Sequence, residues 1–159
     1  DHVYVWYQNG TVSSGSSSDL DQYRAPYQYS LPPGKTPTDI VGMGVAGSND
    51  RVYTWYRDGT VSSGSSSDLD QYRTPYQYSL PQGKTPADIV GMGIAGSNDR
   101  VYAWYRDGSV SSGSSPDLEQ YRGPYLYSLP LGKAPLDIVG MAIAGSNDHV
   151  YTWFRPYIQ

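Results

Sequence analysis

Three pairs of carboxylates recur in this sequence, and in each pair the two residues are separated by one other within a serine-rich stretch. The pairs are Asp19 and Asp21, Asp68 and Asp70, and Asp117 and Glu119. Glycoside hydrolysis uses two carboxyl groups that flank one bond at a separation of about 5–10 Å. A hydrolase needs one such pair at one asymmetric site, whereas these pairs occur three times. The pattern therefore favours turn-forming Asp residues, and a weak Ca²⁺ site and a hydrolase site are the alternatives.

The remaining groups that could act in catalysis or bind a metal have no fixed partners in the sequence. His2 and His149 occupy one repeat position, and that position holds Arg51 and Arg100 in the other copies. A position that accepts both His and Arg is not a metal ligand or a catalytic base. No Ser lies in a G-x-S-x-G pattern, and the chain has no Cys for disulfides or thiolate sites. We therefore predict no catalytic residue, no metal site, no cofactor and no enzymatic activity.

The residues best suited to ligand binding also occur once per repeat. Aromatic rings stack on the C–H faces of sugars, while Arg and Asp exchange hydrogen bonds with hydroxyl groups. One candidate set is Trp6, Trp55 and Trp104, although Trp inside a repeated strand more often packs in the core or between repeats than binds a ligand. A second set consists of Tyr23, Arg24, Tyr27, Tyr72, Arg73, Tyr76, Tyr121, Arg122 and Tyr125. We predict that both sets bind a ligand and favour the second, because it follows a long loop and loops carry recognition.

A repeat of 49 residues organises the chain. The valine of the V-Y-x-W pattern lies at positions 3, 52, 101 and 150. The units are 1–49, 50–98 and 99–147, and residues 148–159 repeat the first strand. A period of this length is typical of solenoids, propellers and other arrays in which each unit covers the core of its neighbour. We therefore predict a single repeat domain over 1–159.

Turn residues divide each unit into four short strands, and no stretch has helical spacing. In the middle of the chain these strands are predicted within 39–47, 51–59, 60–69 and 75–81. Four strands per 40–50 residues predict an all-β fold of β-propeller-type blades, and a β-trefoil is the alternative. The strand predicted within 39–47 and its counterparts in the other two units carry the glycines Gly42, Gly44, Gly91, Gly93 and Gly140. Glycine there predicts the crowded innermost strand of a blade, and a β-bulge is the other explanation.

The number of units predicts self-association. Propellers have at least four blades, and three units give three. Two chains would supply a ring of about six blades. The strand repeated at 148–159 would then either be displaced on ring closure or cross between subunits. We therefore expect a homo-oligomer, whereas a strict monomer would favour the trefoil.

The charge of the chain limits the other partners. The net charge is −4 and the isoelectric point is about 4.9. Nucleic acids and anionic membranes call for clustered Lys and Arg, so neither is expected. No apolar stretch approaches the roughly 18 residues of a membrane span.

The repeated units resemble a known family. Near-identical units that carry the stretch DIVGMGIAGSNDRVY resemble the blades of the repetitive β-propeller lectins of fungi and bacteria. The resemblance implies binding of glycans at sites within or between blades. The identity of the repeats predicts one equivalent site per repeat and therefore multivalent binding, and we expect an extracellular or secreted protein. The alternative is a structural or protein-binding repeat domain that belongs to a larger secreted protein.

Overall fold

The computed structural model describes residues 2–16, 19–20, 22–69 and 72–155, and these residues form strands, turns and three single-turn 3-10 helices without any α-helix. The strands are β1 Val3–Trp6, β2 Thr11–Gly15, β3 Arg24–Gln28, β4 Ile40–Val45, β5 Val52–Tyr56, β6 Thr60–Gly64, β7 Tyr76–Gln77, β8 Ile89–Ile94, β9 Val101–Tyr105, β10 Ser109–Gly113, β11 Arg122–Leu126, β12 Ile138–Ile143 and β13 Val150–Phe154. The 3-10 helices Pro37–Asp39, Pro86–Asp88 and Pro135–Asp137 precede β4, β8 and β12. No helix in this part of the chain is long and apolar enough to span a membrane.

The strands form four antiparallel sheets. The first sheet has the order β1-β2-β3, the second β4-β5-β6-β7, the third β8-β9-β10-β11 and the fourth β12-β13. The second and third sheets therefore have the four consecutive strands of a propeller blade, which confirms the predicted all-β fold. Each complete sheet starts with the glycine-bearing strand, so the sheet boundaries fall inside the units counted from residue 1.

The hairpin between β5 and β6 shows how the repeated Asp-Gly turn works. Gly59 has a φ of +88°, a left-handed conformation that glycine adopts at little cost. Its N–H donates to the Tyr56 carbonyl at 3.1 Å. The carboxylate of Asp58 accepts the N–H of Thr60 at 3.0 Å. The tight turn predicted from the sequence is thus confirmed.

The innermost strands β4, β8 and β12 lie side by side in that order, and their glycines make this approach possible. A Cβ added at Gly42 would lie 2.5 Å from Cγ of Met92, and one at Gly91 would lie 2.6 Å from Cγ of Met141. The side chain of the next sheet therefore occupies the space that a larger residue would need. The prediction of an innermost strand is confirmed. The bulge explanation applies as well, because the ladder shifts register between Ile40 and Gly42.

The four sheets form an open, curved row with propeller-type packing. Strands β4 and β12 come within 8 Å of each other in Cα positions, although β8 lies between them. The row therefore bends around its innermost strands, which is not the arrangement of a β-trefoil. The row is not closed. Within the described residues, the first sheet has no glycine-bearing strand and the fourth sheet has no outer pair of strands.

Both faces of the middle sheets are buried between neighbours. On one face of the second sheet, Trp55 and Val61 belong to a core shared with Met92 and Val101 of the third sheet. On the other face, Val52 packs into a core that the first sheet provides. The apolar residues on both faces of β5 follow from this stacking, because each sheet is covered twice.

A close backbone contact holds the loop that follows β6. A Cβ added at Gly64 would lie 2.6 Å from Cα of Leu69, and Leu69 is buried although its φ is +62°. We expect Gly64→Ala to lower the free energy of unfolding by about 1–3 kcal/mol, because backbone atoms must move to accept the methyl group. Urea unfolding measures this. Gln77→Ala, an exposed change in the same sheet, should stay within about 0.5 kcal/mol, and equal stability of the two variants would contradict the contact.

Candidate ligand-binding grooves

The tryptophans of the first predicted set lie between the sheets. Trp55 is fully buried, and its Nε1–H donates to the Pro116 carbonyl of the third sheet at 2.8 Å. Trp6 makes the same 2.8 Å bond to the Ser67 carbonyl of the second sheet, and Trp104 is also buried. Each bonded indole therefore ties one sheet to the serine-rich loop of the next. The structure shows this packing role, and contact of these residues with a ligand stays a prediction.

The tyrosines and arginines of the second set lie at the surface, on and before the outermost strands β3, β7 and β11. The exposed fractions of the tyrosines range from 39% to 73%, and the arginines are exposed as well. The members are Tyr23, Arg24 and Tyr27 in the first sheet, Tyr72, Arg73 and Tyr76 in the second, and Tyr121, Arg122 and Tyr125 in the third. These residues are therefore accessible to a ligand.

In the first sheet, the structure places the two tyrosines of the second set on opposite faces. Tyr27 bonds to Ser67 of the second sheet, so it faces that neighbour. Tyr23 lines a cavity of about 240 Å³ together with Tyr7 and Leu20 on the other face. The equivalence of the repeats predicts that Tyr72 lies on the face of the second sheet that meets the first.

We call groove 1 the surface where the first and second sheets meet at Tyr4, Tyr27, Ser67 and Asp68. The hydroxyl of Tyr27 is hydrogen-bonded to Oγ of Ser67. The half-buried ring of Tyr4 lies 5.9 Å from the ring of Trp6, measured between centroids. The backbone N–H of Ser30 donates to the Asp68 carbonyl at 2.9 Å. Aromatic rings of one sheet and a polar loop of the next therefore form the two walls.

Groove 2 repeats this arrangement between the second and third sheets, with Tyr53, Tyr76, Pro116 and Asp117. The Tyr53 and Trp55 ring centroids are 6.2 Å apart. A 2.9 Å backbone bond again joins the end of the outermost strand to the Asp117 carbonyl. Pro116 stands where groove 1 has Ser67, so the two grooves differ in one hydroxyl group.

Burial and neighbouring groups move the pKa of the phenol of groove 2 further above neutral pH. Burial raises the pKa of Tyr76, the neighbouring Tyr53 and Asp117 raise it further, and the Arg73 guanidinium opposes this rise. At neutral pH the Tyr76 hydroxyl therefore both donates and accepts hydrogen bonds. Groove 2 thus combines an aromatic surface with a phenol, a carboxylate and a guanidinium.

The carboxylates and histidines that the sequence raised as catalytic or metal-binding candidates have other contacts. Asp68 accepts a bond from Oγ of Ser66 at 2.6 Å, and Asp117 accepts the N–H of Glu119 at 3.2 Å. These carboxylates therefore support their own loops. Asp21 and Asp70 lie outside the described residues. His2 and His149 pack edge-on to the rings of Tyr4 and Tyr151. In the described ranges no three His, Cys, Asp or Glu side chains meet.

Another concave region, of about 300 Å³, lies where the second, third and fourth sheets meet. Arg57, Arg106 and Arg155 line it at equivalent positions. The Arg57 guanidinium donates to the Thr38 carbonyl at 2.9 Å and that of Arg155 to the Leu136 carbonyl at 3.3 Å. These two cations therefore bond to the carbonyl groups of the middle residues of their 3-10 helices.

Sequence reasoning missed two parts of each groove. It did not single out Tyr4 or Tyr53, because the alternation of residues along their strands suggested that these rings face the core. It also assigned the loop of each unit to its own unit, whereas Ser67 and Asp68 complete the groove of the preceding sheet. A signal for the second point exists only once the order of the sheets is known.

The comparisons with known proteins bear on the architecture. No family model matches the chain, and no curated protein matches it. Matching solved structures include U3-55K (9% identity, TM-score 0.44), the RRP9 WD40 repeats (10%, 0.44) and PorZ of Porphyromonas gingivalis (14%, 0.49). The matches cover 89%, 89% and 95% of this chain but only 38%, 38% and 22% of those chains. Identities this low say nothing about a ligand, and no lectin family is shown. From its own sheets, the chain is an all-β array of propeller-type blades.

Proposed function

We propose that this chain is a non-catalytic domain that binds carbohydrate in equivalent grooves between its sheets. The observation that supports this most is the recurrence of one groove at the repeat spacing. Exposed Tyr27 and Tyr76 lie at the same position opposite the loops that carry Asp68 and Asp117. A sugar has apolar C–H faces for the rings and hydroxyl groups for the polar side chains.

The repetition also supports multivalent binding. Identical repeats make identical sites, and linked sites gain avidity from effective concentration without any new contact at each site. The grooves are walled by half-exposed side chains at the surface, which suits weak single sites. Glycans displayed outside cells are multivalent ligands of this kind, and an extracellular location belongs to this proposal.

A glycan array tests the proposal with both grooves altered together. We expect the wild-type chain to bind glycans and Tyr27→Ala/Tyr76→Ala to bind at least about 10-fold more weakly, because about 1.4 kcal/mol of contact is lost. Gln28→Ala/Gln77→Ala changes the neighbouring exposed residues of the same strands and should bind as the wild type does. An array without signal, or a tyrosine variant that binds as strongly as the glutamine control, would contradict the proposed carbohydrate binding.

A second candidate is a protein-binding repeat domain. The third repeat exposes three leucines, Leu126, Leu131 and Leu136, with exposed fractions of 82%, 103% and 65%. The second repeat has Gln77, Gln82 and Ala87 at these positions. Exposed apolar side chains that replace polar or small ones suit contact with another protein. If the folded chain binds no glycan on the array, the protein-binding repeat domain is the candidate function that remains.

A further inference from the structure

The two ends of the row of sheets carry the two halves of one contact. Inside the row, Met141 of the fourth sheet fills the space beside Gly91 of the third. On β12, no described atom lies within 4 Å of a Cβ placed at Gly140, and the same holds at Gly145. The methionine that would fill this space is Met43 on β4, at the other end of the row. One chain therefore presents both the empty place and the side chain that fits it.

The turns between the first two strands of the sheets repeat this complementarity. Asp99 of the third sheet accepts a 2.5 Å bond from Oγ of Ser48 of the second, and the next pair of sheets makes the same bond. The equivalent carboxylate of the second sheet is the exposed Asp50. Its matching serine is Ser146 of the fourth sheet, which a second copy of the chain would supply.

The outer face of the first sheet is an open version of a surface that is covered elsewhere. Tyr7 is 41% exposed, whereas the equivalent Tyr56 and Tyr105 are fully buried. Beside Tyr7 lies the 240 Å³ cavity that Ser13 and Leu20 also line. In the second and third sheets, the preceding sheet covers this surface. The third sheet of a second copy has the shape and apolar side chains to cover it here.

We propose that two copies of this chain join end to end through these halves and close a ring of six blades with two seams. At each seam, β12 of one copy becomes the innermost strand of the other copy's first sheet and pairs with its β1. Each chain has three glycine-bearing strands, so two copies give six blades. Rings of four to eight blades are usual; one copy gives three and three copies give nine.

At each seam, two strands could pair with β12. One is β13 of the same copy and the other is β1 of the second copy, because both have the same position in the repeat. Tyr7 is the residue that follows β1, and its hydroxyl is hydrogen-bonded to Oγ of Ser13 at 2.9 Å. The hydroxyl of Tyr56 makes the equivalent bond to Oγ of Ser62. At this position β13 has Phe154, which has no hydroxyl group. The β1 strand therefore makes a hydrogen bond to β2 that β13 could not make. In the dimer β1 takes the place beside β12, and β13 is displaced.

The second copy also completes a groove. In the third sheet, the rings of Tyr102 and Trp104 are stacked 6.0 Å apart beside the exposed Tyr125. In grooves 1 and 2 the second wall is a loop of the next sheet, and no described loop of this chain stands there for the third. Asp19 of the second copy, which is equivalent to Asp68 and Asp117 in the repeat, occupies this place in the ring. That this third groove binds ligand rests on the proposed function, whereas the assembly does not.

Sedimentation equilibrium without any glycan tests the assembly. We expect the wild-type chain to have twice its 17.5 kDa mass at micromolar concentration. Gly140→Val and Gly145→Ala fill the empty places and should raise the dissociation constant of the dimer at least 100-fold. Neither residue has a close neighbour within the described chain, so the monomeric variants should keep the circular dichroism of the strands. Leu131→Gln, which copies the second repeat at a fully exposed position, should remain dimeric.

Three results would overturn this inference: a wild-type chain of single mass, a larger oligomer, or a Gly140→Val chain that stays dimeric. Hydrogen exchange of the wild-type dimer tests the strand choice, because β13 amides should exchange much faster than β1 amides. Protected β13 amides would contradict the displacement of β13. A chain that dimerises but binds no glycan on the array would contradict only the proposed function. A monomeric chain that binds glycans would contradict only the assembly.

Discussion

Trp55→Ala is expected to lower the free energy of unfolding by about 3–5 kcal/mol. Its indole is fully buried between the second and third sheets, and its N–H bonds to the Pro116 carbonyl. The change leaves a cavity and a carbonyl without its partner in the same interface. Urea unfolding followed by far-ultraviolet circular dichroism measures the loss without depending on tryptophan fluorescence.

Two variants separate the parts of this effect. Trp55→Phe keeps an aromatic ring but removes the N–H, so we expect a loss of about 1–3 kcal/mol. Trp153→Ala makes the same change as Trp55→Ala at the equivalent position of the fourth sheet, where the ring is only half-buried. Its cost should be clearly smaller. If Trp55→Ala were as mild as Trp153→Ala, the indole would not hold the sheets together, and a ligand role for the tryptophans would gain support.

Strongly alkaline solution is expected to unfold the chain in one cooperative step above about pH 10. Besides Tyr76 of groove 2, burial raises the pKa of five tyrosines that are buried or half-buried, Tyr29, Tyr56, Tyr78, Tyr105 and Tyr127. The largest rise is at Tyr78, where burial acts first and the charges of Asp58 and Tyr105 add to it. The Tyr78 hydroxyl donates to the Tyr56 carbonyl at 2.8 Å, and a phenolate could not donate.

The sign follows from proton linkage. The folded chain holds these phenol protons more tightly than the unfolded chain, whose tyrosines ionise near pH 10. Their contribution to stability is therefore complete below pH 10 and is lost as the pH rises towards the folded-state pKa values. Each tenfold difference in proton affinity contributes about 1.4 kcal/mol. Urea unfolding at a series of pH values measures the slope.

Tyr78→Phe is the matched variant for the alkaline transition. It removes one hydrogen bond, so the chain should be less stable at pH 8, but it also removes one ionising group, so the loss of stability with pH should be less steep. Tyrosinate absorbance gives an independent measurement, because the buried phenols should ionise only as the strands unfold. Smooth ionisation of all 17 tyrosines with the strands intact would contradict this explanation.

Much of the fold was predictable from the sequence because its signals are local and occur several times. The Asp-Gly turn needs only positive φ at Gly59, and the 49-residue period places that turn at the same point of each unit. The glycines at 42 and 91 indicated a crowded innermost strand, and the side chains of Met92 and Met141 fill the space beside them. These features depend on residues within one strand or one turn, so the order of the sheets was not needed to find them.

The walls of the grooves could not be predicted, because they depend on contacts between sheets and on register. The bond from Trp6 to Ser67 joins residues of different units, and the sequence does not show which loop follows which sheet in space. Tyr23 and Tyr27 are four apart, which puts both on one face of a regular strand. The register between β2 and β3 shifts between Val12 and Ser14, and the two rings point to opposite faces.

The spacing between neighbouring innermost strands sets the curvature of the whole row. Because Gly91 has no side chain, Met141 comes close and the sheets splay outwards from a narrow centre. The two surfaces that meet differ from each other, so the contact is heterologous, and heterologous contacts close into rings only when the rotation per unit divides a full turn. A larger side chain at Gly91, which lies inside the row and not at a seam, would change that rotation. The same surfaces would then build an open helical filament.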